Sequence, residues 1–470
     1  MRRHIYFLLF IALLGISISC REKPKDEFTH RGYLGWFMDL SRTARIGYHW
    51  PSIEIDSALM ADYEETLAFF ERSRMTEITI WGLFTNSAWE PVIKNTIDME
   101  REEIVREVID MAHEKGIKVI CGLGIYSWGF DKIMDAYPDL RCPCNERTMD
   151  LANPEAMEWQ KKVIDYIMDG YDFDGFSTQS ADQGRCTCGA FGELSTMEYH
   201  AILNQQVINH IRSKDKDYII GISGWGMNFG DPGDLESIVK MTRNLDYLND
   251  VGETVLKRGR DYRKKFIQAI FPCKFGNIGT PNVEPIHAMR RDHYFVPTAK
   301  RACRNLQELY QDGGRACEVY YRSRSNPGDE ITVEVIANLL SNPAMPYENV
   351  LKSTLSFLYQ PADDAAMQEF VEILSEAEDA FFNNTREDRQ IILLLSRGAL
   401  EPSSEYLEKM PTESLMAYKS VMSDLYDRAN SLSNKVNNQE KFRKVLVCFE
   451  NVIEEIRLIE NKGDASHIDN

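Results

Sequence analysis

From about residue 31 the chain alternates short apolar runs with longer stretches in which apolar residues return every three or four positions. Runs of the first kind suit strands buried on both faces, and stretches of the second suit the amphipathic helices that cover them. The strand candidates are YLGWFMDL (33–40), EITIWGLF (77–84), IKVICGLGIY (117–126), DGFST (174–178), YIIGISGW (218–225) and CEVYY (317–321). Their spacing, roughly 40 residues, is that of βα units. Between residues 245 and 300 the segments NDVGE, RGRDYRKK and FPCKFGNIGTPNVEP leave the register open, and eight strands are reached only if two lie there.

The helical stretches carry their own start and stop signals. Over 102–115, Ile104, Val105, Val108, Ile109 and Ala112 share one face, and Gly116 supplies the left-handed residue that ends a helix. In DLANPEAMEW, Asn153 suits the N-cap, Pro154 the first turn and Glu155 the positive end of the dipole. Ser195 and Glu198 form a capping box ahead of the stripe Leu203, Val207, Ile211. These units predict an α/β fold, a (β/α)8 TIM-type barrel over 31–358. A doubly wound open sheet is the alternative, but it carries a glycine-rich phosphate loop after its first strand, where this chain has Asp39-Leu40-Ser41-Arg42. After about residue 360 the pattern is helix alone, in DAAMQEFVEILSEAEDAFF (364–382), ESLMAYKSVMSDLYDRA (413–429) and KFRKVLVCFENVIEEIRLIE (441–460). A helical C-terminal domain over 359–470 follows.

The first thirty residues are of another kind. MRRH is basic, IYFLLFIALLGISIS is an apolar run of fifteen residues, and Cys20 closes SISC before the polar REKPKDE. That is the order of a secretory leader, and the run falls short of the roughly 20 residues a membrane span needs. SISC resembles the bacterial lipoprotein signal. The resemblance implies a signal peptide over 1–20, lipidation of Cys20, a tether over 21–30, and a protein exported and lipid-anchored to the cell envelope, at the outer membrane, the surface or the periplasmic face. An ordinary signal peptide with an incidental cysteine is the alternative. No second apolar stretch of spanning length follows.

Charge narrows the partners. The leader removes Arg2 and Arg3 and no acid, so a net charge of −19 becomes −21. An acidic body argues against nucleic acid, whose phosphates are met by clustered Lys and Arg, and fits a neutral, sugar-like ligand.

In barrels of this kind the site lies at the C-terminal ends of the strands. Trp36, Asp39, Tyr48 and Trp50 follow the first strand candidate, Trp81 and Trp89 the second, Tyr126 and Trp128 the third and Trp225 the fifth, while Tyr321 closes the last; only Trp159 of the seven tryptophans lies inside a helix. Flat aromatic faces stack on the apolar faces of pyranose rings, and loop packing is the competing use. The segment FDGFSTQSADQGRCTCGAFG (173–192) ends the fourth strand in a polar turn with Asp182, Gln183 and Arg185.

With F-D-G-F at that strand, the NPEA helix start and the later NPGDEITVEVIANLLSNPAMPYENVL, residues 31–355 resemble glycoside hydrolase barrels of the hexosaminidase, α-glucuronidase and endo-N-acetylglucosaminidase type. The resemblance implies a glycan or oligosaccharide substrate and makes Asp182 the leading acid. It departs from the pattern at Gln179 and Ser180, where many such barrels carry a glutamate. Glycoside cleavage uses two carboxylates, so the second comes from another strand end: Glu253 first, with Asp250, Glu284 and Asp39 as alternatives. Substrate contacts are expected from Trp36, Asp39, Trp81, Trp128, Gln179, Arg185, Trp225, Glu284 and Tyr321. A carbohydrate-binding lipoprotein without chemistry is the rival reading. Asp174 reads as structural, and His113 as easing a helix dipole.

Nine cysteines follow Cys20. Cys142 and Cys144 in RCPC follow the third strand, and Cys186 and Cys188 in RCTC follow the fourth. Neighbouring strands set these loops side by side, so four thiolates could hold a structural zinc; two interloop disulfides or free thiols are the alternatives. With all four positions filled by cysteine, a catalytic metal is not expected, nor any other catalytic cofactor.

Overall fold

The strands, in chain order, are β1 (His30–Trp36), β2 (Glu77–Trp81), β3 (Lys118–Gly124), β4 (Arg141–Cys142), β5 (Asn145–Met149), β6 (Gly175–Gln179), β7 (Ile219–Ser223), β8 (Tyr247–Asp250), β9 (Lys274–Ile278) and β10 (Ala316–Tyr320). All but β4 and β5 are parallel and close a barrel in the order β1-β10-β9-β8-β7-β6-β3-β2, while β4 and β5 make a separate antiparallel hairpin. The structure is a computed structural model and describes residues 27–40, 55–84, 99–127, 129–181, 183–250, 254–278, 297–320, 326–383 and 412–466. The two strands left open by the sequence are β8 and β9, short segments whose polar residues Asn249, Asp250 and Lys274 interrupt the apolar pattern. The first strand starts earlier than YLGWFMDL implies, because His30 already pairs with Ala316, and Phe37–Leu40 turn away as a 3-10 helix.

Around the barrel lie α1 (Ser57–Arg72), α2 (Met99–Glu114), α3 (Asp131–Ala136), α4 (Pro154–Gly170), α5 (Thr196–Arg212), α6 (Leu235–Met241), α7 (Arg260–Ile270), α8 (Ala299–Gln311) and α9 (Pro327–Ser341). Their ends use the residues that the sequence singles out. The Asn153 side chain accepts the Glu155 N–H, Ser195 and Glu198 form both halves of a capping box, and Gly116 adopts φ +70° beyond α2. His113 lies in the last turn of α2, the place the dipole reading requires, and also pairs with Asp174 at 2.8 Å, tying α2 to the start of β6; the same carboxylate oxygen accepts the Val119 N–H, a structural task for Asp174.

Four further helices follow: α10 (Tyr347–Leu358), α11 (Asp364–Asn383), α12 (Thr412–Leu432) and α13 (Gln439–Ser466). The last three match the amphipathic stretches of the sequence. They share an apolar seam in which Phe370 and Phe442 meet edge to face at 5.1 Å, and Arg428 of α12 reaches Glu369 and Glu376 of α11. α9 is buried almost all round, because α8, α10 and α13 pack against it. Among the described residues no helix is long and apolar enough to cross a membrane.

Candidate functional site

Alternation along the strands decides what faces the barrel axis. On β6 and β7 it turns Ser177, Gln179, Gly221 and Ser223 inward, and Gln179, the last residue of β6, is only 8% exposed. α5 holds this strand end in place. Asn204 takes a hydrogen bond from the Thr178 hydroxyl at 2.9 Å and gives one to the Ser180 hydroxyl at 2.9 Å. Beside it, Trp225 stands half-buried on the turn after β7. Gly226 there has φ +77°, and a side chain on it would come within 3.1 Å of Ala181. The turn carrying Trp225 therefore lies against the residue that precedes position 182.

Trp81 is 3% exposed, and its indole lies over Gly122, where a Cβ would sit 2.4 Å from the ring. It lies in the barrel interior at the end of β2, packed against β3, and not in the open loop position that stacking on a sugar would favour. Asp250 caps the turn after β8, accepting the Thr254 hydroxyl at 3.0 Å and the Val255 N–H at 2.8 Å. Arg185 donates to the Leu194 carbonyl at 2.7 Å, closing its own loop. Burial, with Arg185 adding to it, holds the neighbouring His200 down to about 4 and so uncharged. Asp182, Glu253, Glu284, Trp128 and Tyr321, and the side chains of Trp36 and Asp39, lie outside the described residues, as does Cys20.

Sequence reasoning missed a polar chain inside the barrel. Glu318 on β10, fully buried, accepts from the Thr79 hydroxyl at 2.5 Å, the Tyr247 hydroxyl at 3.2 Å and the Asn249 amide. His30 stacks on Tyr247 with ring centroids 3.9 Å apart, bonds to Glu77 through Nδ1, and brings Nε2 to 3.7 Å from Glu318. Burial opposes charge on the imidazole, but Glu77 and Glu318 outweigh it and push its pKa up to about 9. This cluster adjoins a cavity of about 530 Å3 lined by Arg31, Lys118, Asp246 and Lys274 among others. The cavity opens at the N-terminal ends of the strands, the face that in such barrels carries stability rather than catalysis.

The cysteines do converge. Cys142 and Cys144 sit on the β4–β5 hairpin, Cys186 and Cys188 on the loop after β6, and all four sulfurs lie within 4.8 Å of one another. Cys142 Sγ is 2.8 Å from Cys186 Sγ, 3.1 Å from Cys144 Sγ and 3.5 Å from Cys188 Sγ. Hydrogen bonds from Cys188, Thr187 and Cys142 pull the Cys144 thiol down to about 6, while burial pushes Cys186 up. The Thr187 N–H and hydroxyl reach Cys144 Sγ at 3.1 and 3.3 Å. Four soft donors facing one point, with outer donors turned onto one of them, suit a metal ion bound at a closed site.

The chain matches no protein-family model and no curated protein. Among solved structures it is similar to a mutant O-GlcNAc hydrolase of Thermobaculum terrenum, at 10% identity and a TM-score of 0.48, covering 93% of this chain and 97% of that one. It is also similar to a beta-N-acetylhexosaminidase, at 11% identity and a TM-score of 0.45, covering 72% of this chain and 77% of that one. The barrel assignment rests on the strand order of this chain itself.

Proposed function

We propose that the protein is a glycoside hydrolase acting on glycan oligosaccharides outside the cytoplasm, held at the cell envelope by lipid on Cys20. The observation that carries this reading is the mouth of the barrel, where buried Gln179 and half-buried Trp225 flank the turn that leads into Asp182. An amide, an aromatic face and a carboxylate at adjoining strand ends are what a sugar hydroxyl, a pyranose face and a glycosidic oxygen require. Asp182 is assigned the acid or orienting role. Because Asp250 is taken up by its own turn, Glu253 is the better second carboxylate within NDVGE, with Glu284 and Asp39 behind it.

The cofactor in this reading is a structural zinc at the four cysteines, since a tetrathiolate set selects a soft divalent ion and leaves it no open position. No catalytic cofactor enters the proposal. Gln179, standing where a second acid is common, favours a rival in which the same mouth binds sugar without cleaving it.

The deciding experiment screens the mature protein against chromogenic glycosides and intact glycans. Hydrolysis that falls by roughly 10² to 10⁴ in turnover in Asp182→Asn, with affinity within a few-fold, supports the assignment. Binding without any hydrolysis decides for the rival. Normal turnover in Asp182→Asn removes that residue from the mechanism.

A further inference from the structure

We infer that a metal ion at Cys142, Cys144, Cys186 and Cys188 gives the loop between β6 and α5 its shape, so that the mouth beside Gln179 is fully built only in metal-loaded protein. The inference rests on the metal reading above and extends it, from an ion that stabilises to one that positions the site.

Regular structure and full burial hold little of the loop. Between Gln179 and Ser195 its regular structure is one 3-10 turn, Gly189–Glu193, in which no residue is buried. In its sequence, SADQGRCTCGAFGEL, only Cys186 is a fully buried apolar residue, while Ala181, Cys188, Phe191 and Leu194 meet the core partly buried. A segment with so little fully buried apolar surface is held only weakly by hydrophobic packing.

Its ties run largely to the hairpin that carries the other two thiols. Asn145 Nδ2 donates to the Gln183 carbonyl at 3.0 Å and the Arg185 carbonyl at 3.4 Å, and Thr187 turns two donors onto Cys144. On the α5 side, the Cys186 N–H reaches the Tyr199 hydroxyl at 3.1 Å. The hairpin is itself small, with β4 only two residues long, and an isolated two-stranded ribbon is marginal in water. The hairpin is tied to the barrel at its far end, where the Met149 N–H reaches the Tyr126 carbonyl at 2.7 Å, so its tip and the loop brace each other where the sulfurs meet.

Chain connectivity then carries the effect to the mouth. Gln179 is fixed by the barrel, where it pairs with Gly124, and Cys186 would be fixed by the ion. The segment 180–185 spans two anchored ends, and Asp182 falls within it. Anchoring both ends of so short a span removes most of its conformational freedom, and releasing one end restores it. As free thiols, four sulfurs held this close have only weak S–H hydrogen bonds to offer one another. A divalent cation bound by all four would supply the tie between the hairpin and the loop, so the compact arrangement and the bound ion favour each other.

The test uses the mature full-length protein, purified without chelator, with metal measured by mass spectrometry and amide hydrogen exchange followed before and after chelation. Zinc should be present at about one per chain, and cobalt in its place should give the visible bands of a tetrahedral tetrathiolate. On chelation, the amides of 180–188 and 141–149 should exchange about ten-fold faster or more, while strands β1 to β3 keep their protection, and added zinc should reverse the change. Cys144→Ser, which alters the exposed ligand, should show the same local loss without chelator. Bound zinc whose removal leaves exchange at 180–188 unchanged keeps the metal reading and overturns the positioning inference. Loss of protection across the whole barrel also overturns it, since the ion would then act on global stability. Metal-free protein with the four cysteines in disulfide-linked peptides overturns both.

Discussion

The carboxylate of Glu378 on α11 accepts the backbone N–H of Lys300 at 2.9 Å, at the first turn of barrel helix α8, and also takes the N–H of Arg301 at 2.8 Å. Thr298, the N-cap residue of α8, gives no side-chain cap of its own, so the C-terminal helices supply the cap from a distance. Burial pushes the pKa of Glu378 up to about 7 even against these donors. Glu378→Ala leaves two donors without an acceptor and should lower stability by about 1–3 kcal/mol, with Glu378→Gln costing less. Denaturant unfolding of the three proteins checks this, and equal midpoints would refute it.

His30 makes stability depend on pH. Its pKa in the folded protein, about 9 against an ordinary 6.5, means that the fold favours the protonated ring. The contribution is therefore complete below about pH 6.5 and disappears as the pH rises through about 9. The pKa of Glu77 is shifted the other way, with His30 overcoming the effect of burial, so its share is lost only as the pH falls through the carboxylate range. Between pH 6.5 and 9 the unfolding free energy should drop more steeply in the native protein than in His30→Gln, by an amount on the order of 1–3 kcal/mol. Parallel curves for the two proteins over that window would count against the pair.

In the proposed function Trp225 serves binding and not chemistry. Trp225→Ala removes stacking area but no titrating group, so glycan affinity should weaken by about ten-fold or more while turnover at saturation changes much less. Titration with a bound oligosaccharide and steady-state kinetics distinguish the two effects. Unchanged affinity would take Trp225 out of the binding surface.

The proposed function places the anchor on Cys20. Cys20→Ser should leave the body free of acyl chains and release it from membranes, which fractionation and fatty-acid labelling detect. Membrane-bound, labelled Cys20→Ser protein would place the anchor elsewhere.

Local chemistry is what the sequence makes readable. The caps at Asn153 and Ser195, the stop at Gly116 and the stripes of α11 to α13 depend on neighbours a few residues away, and each could be read from spacing alone. β8 and β9 could not, because short strands bearing Asn249, Asp250 and Lys274 look like loop until the barrel gives those residues partners. The His30–Glu77–Glu318 chain was invisible for the same reason: its members lie far apart in the sequence and meet only when the sheet closes. The convergence of the cysteines could be read, since adjacent strands must set their loops together, but the hairpin that presents Cys142 and Cys144 could not. Trp81 shows the limit of counting aromatics at strand ends, for its position was right and its direction depended on Gly122 one strand away.

Two large rings inside the barrel rest on glycines of the next strand, Trp81 over Gly122 and Tyr247 over Gly221, where a Cβ would lie 2.0 Å from the phenol. Volume in this interior is therefore shared between neighbouring strands, and neither member of a pair can change size alone. Gly221→Ala should unfold the protein or cost several kcal/mol, and trimming Tyr247 to Leu should recover part of that loss, a coupling that a double-mutant cycle measures. Independent costs at the two positions would disprove it. Drift in such a lineage would leave a signature of its own, with bulk crossing from one strand to the next in matched steps while the bore of the barrel keeps its width.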